Sequence, residues 1–170
     1  SYAIVYDSRT GNTEALARAV AAALPSEGRL AFGRVDEVDR AAVAQADRVY
    51  AGFWTNRGDC GDELAEVLAS LADKDVFLFG TAGFGADETY FAGVMARVAV
   101  HLPESARIVG TFMCQGRMPA SVRARYAQTA EAKPEQAARM HQLIENFDEA
   151  ASHPDDDDLA RLREAVQAAS

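Results

Sequence analysis

The chain has 170 residues, of which 49% are hydrophobic and 25% are charged, and its net charge is −9. This length fits one domain with one core, and the hydrophobic content excludes an intrinsically disordered chain. No run approaches the roughly 18 apolar residues of a membrane helix, and an acidic chain is not expected to bind nucleic acid. Because no signal peptide is recognised before the first strand, the cytoplasm is the expected location.

Strand-like and helical stretches alternate along the first two thirds of the chain. Strands are predicted at 2–6, 30–35, 48–53, 75–80 and 106–114, and helices at 14–24, 62–72 and 90–102, with one or two helical turns within 36–46. This alternation predicts an α/β fold, a doubly wound five-stranded parallel sheet of order 2-1-3-4-5. We expect a single domain, 1–170, with a helical insertion at 115–133 and a C-terminal helical extension at 152–170.

The stretch between the predicted first strand and first helix has the composition of an anion site. At such a junction, unpaired backbone N–H groups and the positive end of the helix dipole converge. Ser8, Thr10 and Thr13 add hydroxyl donors, while Gly11 allows the backbone to approach a ligand closely. The loop lacks both a Gly-Lys-Ser/Thr ending and three spaced glycines, which favours a single terminal phosphate. An ordinary helix start capped by Asn12 or Thr10 is the alternative.

This loop resembles the S/T-x-T-G-x-T phosphate loop of flavodoxins at each fixed position, and it lies where that family has it, after the first strand. The resemblance extends over most of residues 1–114 and weakly to a helix near 134–151. It implies the flavodoxin-like fold and FMN as the cofactor. It also implies that the phosphate is held by Ser8, Arg9, Thr10, Gly11, Asn12 and Thr13.

The loop after the third predicted strand also resembles the family. Many flavodoxins place a tryptophan of this loop against the flavin ring, and Trp54 is the only tryptophan of the chain. A core tryptophan at a strand end is the alternative. Gly58 is the best match to a family glycine whose neighbouring peptide reorients on reduction. The resemblance thus implies cofactor contacts from the whole loop: Trp54, Thr55, Asn56, Arg57, Gly58 and Asp59.

The loop at 81–89, after the fourth predicted strand, matches the family less well. The usual Asp-Ser-Ser-Tyr is replaced by Phe84-Gly-Ala-Asp87, although Gly80 and the Tyr90-Phe91 pair match. Phe84 is therefore the first choice to cover the second face of the ring, and Tyr90 is the second. The remaining residues predicted to bind the cofactor in this loop are Thr81, Ala82 and Gly83.

Two cysteines, Cys60 and Cys114, show neither metal-ligand spacing nor a C-x-x-C redox pair, so we expect reduced thiols and no metal site. No catalytic triad or paired-carboxylate motif is present, and no catalytic residue is predicted. In the 115–133 insertion, Arg117, Arg123 and Arg125 form either a solvated helix face or a contact with a partner or the cofactor rim. The helix from 134 has an apolar stripe predicted to be core. Ser152 to Asp155 resemble a capping box, and the acidic residues 155–158 are expected to complement the amino end of the last helix.

The resemblance implies an FMN-dependent carrier of single electrons at low potential between a reductase and an acceptor enzyme. The expected partners are redox proteins with basic surfaces, because acidic surfaces attract them, and the protein is expected to be a monomer. An FMN-dependent NAD(P)H or quinone oxidoreductase of the same fold is the alternative. A receiver-type signalling domain is disfavoured, because it needs clustered acids after the first strand and only Asp7 lies there.

Overall fold

A computed structural model describes residues 1–85 and 87–170; Ala86, within the predicted 81–89 loop, lies outside the described residues. Its strands are β1 (Tyr2–Tyr6), β2 (Arg29–Arg34), β3 (Arg48–Trp54), β4 (Asp75–Ala82) and β5 (Arg107–Gln115). They form one parallel sheet in the order β2-β1-β3-β4-β5, which confirms the predicted fold class. Strand β4 runs two residues further than predicted, so Thr81 and Ala82 belong to the strand.

Seven α-helices are present among the described residues: α1 (Asn12–Ala23), α2 (Arg40–Gln45), α3 (Asp62–Ala69), α4 (Glu88–Ala99), α5 (Ala120–Ala132), α6 (Ala137–Ala150) and α7 (Asp156–Ala168). Helix α4 begins before its predicted start because the Asp87 carboxylate accepts a hydrogen bond from the N–H of Thr89. Within the part of the chain that the structure describes, no helix is long and apolar enough to cross a membrane.

Two hydrophobic layers cover the two faces of the sheet. One layer packs the sheet against α3 and α4 and includes Phe53, Leu68 and Val94. The other packs the sheet against α1 and α7 and includes Leu16 and Leu162. Strand β1, which is second in the sheet order, is buried along its whole length because helices cover both of its faces.

The C-terminal helix α7 is part of the core. Leu162 and Val166 are fully buried against the sheet and α1, although the sequence presents 152–170 as an extension. The helix starts at a capping box, in which Asp155 and Asp158 each accept a hydrogen bond from the backbone N–H of the other. The acidic run 155–158 therefore caps the helix as expected, but the capping box lies three residues later than the predicted one at Ser152 to Asp155.

Helices α5 and α6 form a hairpin that packs mainly on itself. Helix α5 has no buried residue, and it begins directly after Pro119. The apolar stripe of α6, which includes Leu143 and Phe147, is only half-buried, so its prediction as core was wrong. The reason is that α7, and not α6, packs against the sheet beside α1, while α6 packs mainly against α5.

Strands β3 and β4 interlock through two reciprocal pairs of glycine and phenylalanine. In their register Gly52 faces Phe79, and Phe53 faces Gly80. A Cβ atom added at Gly80 would lie 2.3 Å from Phe53 Cζ, and one added at Gly52 would lie 2.3 Å from Phe79 Cε2. Each ring therefore occupies the space that a side chain on the neighbouring strand would need.

We expect Gly80→Ala to lower the free energy of unfolding by about 1–3 kcal/mol, because the buried ring of Phe53 cannot move away without overpacking the core. Gly93→Ala is the matched control, since nothing lies within 4 Å of an added Cβ there. In the middle of α4 it should raise stability by about 0.5–1 kcal/mol. Urea unfolding measures the free energy of unfolding of both variants. A Gly80→Ala protein as stable as the parent would contradict the interlock.

Candidate functional site

The loops after β1, β3, β4 and β5 surround a cavity at the carboxyl edge of the sheet. The cavity has a volume of about 230 Å³ and is open to solvent on one side. Most of the predicted cofactor-binding residues line it: Arg9, Thr10, Asn12, Trp54, Thr55, Arg57, Gly58, Thr81, Ala82, Gly83, Phe84 and Tyr90. Parallel strands bring their carboxyl ends to one edge, which is why loops distant in sequence meet here.

The first loop presents the amino end of α1 to this cavity. Gly11 is the N-cap residue with φ of 88°, a left-handed conformation that favours glycine, so the alternative caps Asn12 and Thr10 were wrong. The N–H groups of Asn12 and Thr13 have no intrahelical acceptor at this position. Ser8 is nearly buried, and its hydroxyl oxygen accepts a hydrogen bond from the N–H of Glu14 at 3.2 Å. The geometry suits an anion at the start of the helix.

Thr13 lies beneath the cavity, outside its lining. Its side chain is fully buried. The hydroxyl donates a hydrogen bond to the Phe53 carbonyl oxygen at 3.2 Å or to the Thr81 hydroxyl at 3.1 Å. Thr13 therefore attaches the start of α1 to the ends of β3 and β4, a structural role in addition to the predicted contact with phosphate.

Two buried polar atoms of the cavity lack a hydrogen-bond partner. Among the described residues, only Asn12 Oδ1 and Thr55 Oγ1 are buried side-chain oxygens or nitrogens without one. Both residues line the cavity. Leaving such a group unpaired costs about 1–3 kcal/mol. The cavity is therefore suited to a ligand with polar atoms, and an FMN molecule, with its phosphate, ribityl hydroxyls and polar ring edge, has the groups required.

Trp54 forms an aromatic wall at the end of β3. It is half-buried, and the guanidinium carbon of Arg9 lies 5.5 Å from its ring centroid, within the range of a cation–π contact. Burial raises the pKa of the nearby Asp7 carboxyl, while the indole N–H of Trp54 and the charge of Arg34 oppose this shift. Trp54 lies at the cavity and not within the core, as the resemblance implied.

The loop after β3 contains a tight two-residue turn. Asn56 and Asp59 exchange two backbone hydrogen bonds of 2.8 and 3.1 Å, and the residues between them, Arg57 and Gly58, have φ of 53° and 82°. Positive φ at both central residues defines a type I′ turn. A Cβ at Gly58 would also lie 2.8 Å from Arg97 Nη1. The positive φ of this turn therefore favours glycine at position 58.

The loop after β4 brings both predicted aromatic residues to the cavity. Phe84 is 42% exposed, whereas Tyr90 is half-buried against the core layer of α3 and α4. Asn146 of α6 holds this loop, because it donates to the Gly83 carbonyl at 2.9 Å and accepts from the N–H of Gly85 at 3.2 Å. The more exposed Phe84 has the greater freedom to cover a bound ring.

The segment after β5 is also part of the cavity, which the sequence indicated only as one alternative for its arginines, at the cofactor rim. Five of its residues line the wall: Gly116, Arg117, Met118, Pro119 and Val122. The side chain of Met118 packs against Gly83, where an added Cβ would lie 2.7 Å from its sulfur. The Arg117 carbonyl accepts a hydrogen bond of 2.8 Å from Asn12 Nδ2. The predicted parallel sheet already implied this position, because β5 also ends at the carboxyl edge of the sheet.

The charge around the cavity differs from that of the whole protein. Although the net charge is −9, the cavity lining contains the arginines Arg9, Arg57 and Arg117 and no acidic residue among the described positions. Of the predicted insertion arginines, Arg117 reaches the cavity, while Arg123 forms an ion pair with Asp148 between α5 and α6. The local potential at the cavity therefore favours an anionic ligand.

Comparison with known proteins agrees with the fold. A family model described as a flavodoxin domain matches residues 3–167. The flavodoxin-like domain-containing protein BilS of Clostridium symbiosum is 37% identical over 175 residues, covering 95% of this chain and 92% of that protein. BilS of Clostridioides difficile is 27% identical, covering 92% of this chain and 88% of that protein.

A solved structure extends this likeness to three dimensions. Oxidised flavodoxin 2 from Bacillus cereus superposes with a TM-score of 0.57 at 17% identity, covering 99% of this chain and 97% of that one. At this identity the likeness concerns the fold, while the family model and the 37% identical relative concern the sequence itself. The chain belongs to the flavodoxin family.

Proposed function

We propose that this protein binds FMN and carries single electrons at low potential between a reductase and an acceptor enzyme. The observation that supports it best is the pair of unpartnered buried oxygens, Asn12 Oδ1 and Thr55 Oγ1, in a cavity bounded by Trp54 and the start of α1. Flavodoxin family membership supports the same cofactor. Bound FMN supplies redox chemistry that no side chain of the protein provides.

Two parts of the cavity divide the binding of FMN between them. The phosphate is assigned to the hydroxyls of Ser8 and Thr10 and to the first N–H groups of α1, where the helix dipole also favours a negative charge. The ring is assigned to the other end, between Trp54 and an aromatic side chain of the loop after β4, with Phe84 preferred. Flat aromatic faces on both sides exclude water from the ring.

The segment after β5 supports a carrier over an enzyme with its own substrate. Met118 packs against Gly83 on the cavity wall, and Asn146 holds the adjoining loop. The segment therefore closes one side of the cavity, which would leave less room for a second ring, such as a nicotinamide or a quinone, beside a bound flavin. An electron carrier needs only an exposed edge of the ring close to its partner.

The arginines of the cavity favour the second candidate, an FMN-dependent NAD(P)H or quinone oxidoreductase. Guanidinium groups bind phosphate in a bidentate manner, and Arg57 and Arg117 line the cavity in addition to Arg9 of the phosphate loop. A nicotinamide nucleotide has phosphates that such groups would bind. Direct reduction by NADPH separates the two candidates.

The proposed partners are redox proteins with basic surfaces, met by a monomer of this chain in the cytoplasm. The net charge of −9 favours such partners through long-range attraction, and it disfavours nucleic acid. Cys60 and Cys114 are free thiols, which suits a reducing compartment. Salt should weaken docking, because it screens attraction between exposed charges.

FMN should bind far more tightly than riboflavin, because only FMN has the phosphate. Thr10→Ala should weaken FMN binding about 10- to 100-fold through the loss of one charge-assisted hydrogen bond of about 1.5–3 kcal/mol, and should leave riboflavin binding unchanged. Fluorescence titration of the apoprotein measures both ligands. Thr111→Ala is the control, since Thr111 is exposed on β5 outside the cavity lining. Equal affinity for FMN and riboflavin would contradict the phosphate site.

The carrier and the oxidoreductase differ in their response to NADPH. We expect the purified holoprotein to be yellow, to be bleached by dithionite in two separate one-electron stages, and to keep its colour with NADPH alone. Adding a flavodoxin reductase together with NADPH should bleach it. Anaerobic absorbance titration follows all three reactions. Rapid bleaching by NADPH alone, with turnover, would contradict the proposed carrier and support the oxidoreductase.

Arg57 should raise the potential of the second electron, because that electron makes the ring anionic. One unit charge about 10 Å away at an effective dielectric near 20 contributes roughly 1.7 kcal/mol, or about 70 mV, before salt screening. Arg57→Gln should therefore lower the second potential by several tens of millivolts. Arg163→Gln, on the exposed surface of α7, makes the same change in net charge outside the cavity and should shift it far less. Potentiometric titration measures both variants. Equal shifts of the second potential in Arg57→Gln and Arg163→Gln would contradict a local effect of Arg57 on the ring.

A further inference from the structure

Asp59, Cys60 and His101 form a cluster at the base of the turn after β3, which we call the Asp59 cluster. One ligand atom from each, a carboxylate oxygen, Sγ and an imidazole nitrogen, lies within 4.8 Å of the other two. His101 Nε2 is 3.0 Å from Asp59 Oδ1 and 3.1 Å from Oδ2. The cluster lies outside the cavity lining, and nothing in the proposed electron transfer uses it.

We propose that the Asp59 cluster binds one zinc ion. Zinc in proteins is held by thiolate, imidazole and carboxylate ligands, the three groups present here, whereas calcium and magnesium prefer oxygen alone. Three protein ligands leave a fourth tetrahedral position for water. Binding displaces the thiol proton of Cys60 to the solvent, and the resulting thiolate and carboxylate together balance the charge of the ion.

The geometry requires only small movements to receive the ion. Ligand atoms bound tetrahedrally at about 2.0–2.3 Å lie roughly 3.3–3.7 Å from one another. The distance of 3.0 Å between His101 Nε2 and Asp59 Oδ1 is slightly shorter, and all three ligand atoms are within 4.8 Å. The side chains of His101 and Asp59 are 31% and 38% exposed, so an ion can reach them from solvent.

The ligands come from two parts of the chain, each of which is held in place by hydrogen bonds. The Asp59 carboxylate accepts a hydrogen bond of 2.7 Å from the N–H of Cys60, which orders the carboxylate next to that residue. His101 follows α4, and its N–H donates to the Val98 carbonyl at 3.1 Å. The ion would therefore join the end of α4 to the turn that contains Gly58.

A second cluster in the chain, His153 with Asp155 and Asp158, has comparable spacing but is already occupied by protein contacts. The Asp158 carboxylate accepts hydrogen bonds from the N–H of Asp155 and from Arg161, and it contacts His153 Nδ1 at 2.6 Å. A guanidinium on the carboxylate opposes a second cation. Within residues 1–85 and 87–170, no lysine or arginine forms an ion pair with Asp59.

The test is zinc binding by protein without an affinity tag, after treatment with a chelator. Isothermal titration should show one equivalent of zinc per chain. Cobalt added in place of zinc should produce the near-ultraviolet charge-transfer absorption of a cobalt–thiolate bond. Cys60→Ser should abolish that absorption, and Cys60→Ser and His101→Gln should each weaken zinc binding at least tenfold.

The controls are Cys114→Ser and His153→Gln, which remove the other cysteine and the histidine of the second cluster. Both should bind zinc and absorb with cobalt as the parent does, and circular dichroism confirms that every variant is folded. Absence of the cobalt–thiolate absorption in the parent would overturn the proposal. Unchanged zinc affinity in folded Cys60→Ser and His101→Gln, or its loss in His153→Gln, would overturn it as well.

Discussion

The buried hydroxyl of Thr13 is the contact on which the arrangement of the site depends. It donates to the Phe53 carbonyl or the Thr81 hydroxyl and thereby joins the start of α1 to the ends of β3 and β4. A buried hydroxyl without a partner is costly, so the helix cannot shift along the sheet without losing this bond. The amino end of α1 is therefore held where the loops of the two neighbouring strands also end.

The interlock of β3 and β4 also fixes the positions of these strand ends, from within the sheet. Phe53 packs over Gly80 in one core layer, while Phe79 packs over Gly52 in the other. Because the two rings lie on opposite faces, a slip of the register would displace both of them. Trp54 and Thr81 are the last residues paired in this register, so the aromatic wall lies directly beside the end of β4.

The segment after β5 and the α5–α6 hairpin complete the cavity without adding to the core. Asn12 bonds to the Arg117 carbonyl, and Asn146 bonds to the loop after β4, so both ends of the cavity are tied to this C-terminal region. Helix α5 has no buried residue, and its cost in conformational entropy is offset mainly by packing against α6.

The sequence alone determined the parallel sheet, its strand order and the glycine at the start of α1, because these depend on local patterns: apolar runs, helical periodicity and a glycine at a strand–helix junction. Trp54 was identified through the resemblance to flavodoxins, which have a tryptophan at this position after the third strand. The wall formed by Met118, the burial of Leu162 and the meeting of Asp59 with His101 were decided only by the tertiary structure. These contacts join residues that are distant in the chain. A local sequence pattern holds no information about which distant residues will meet after folding.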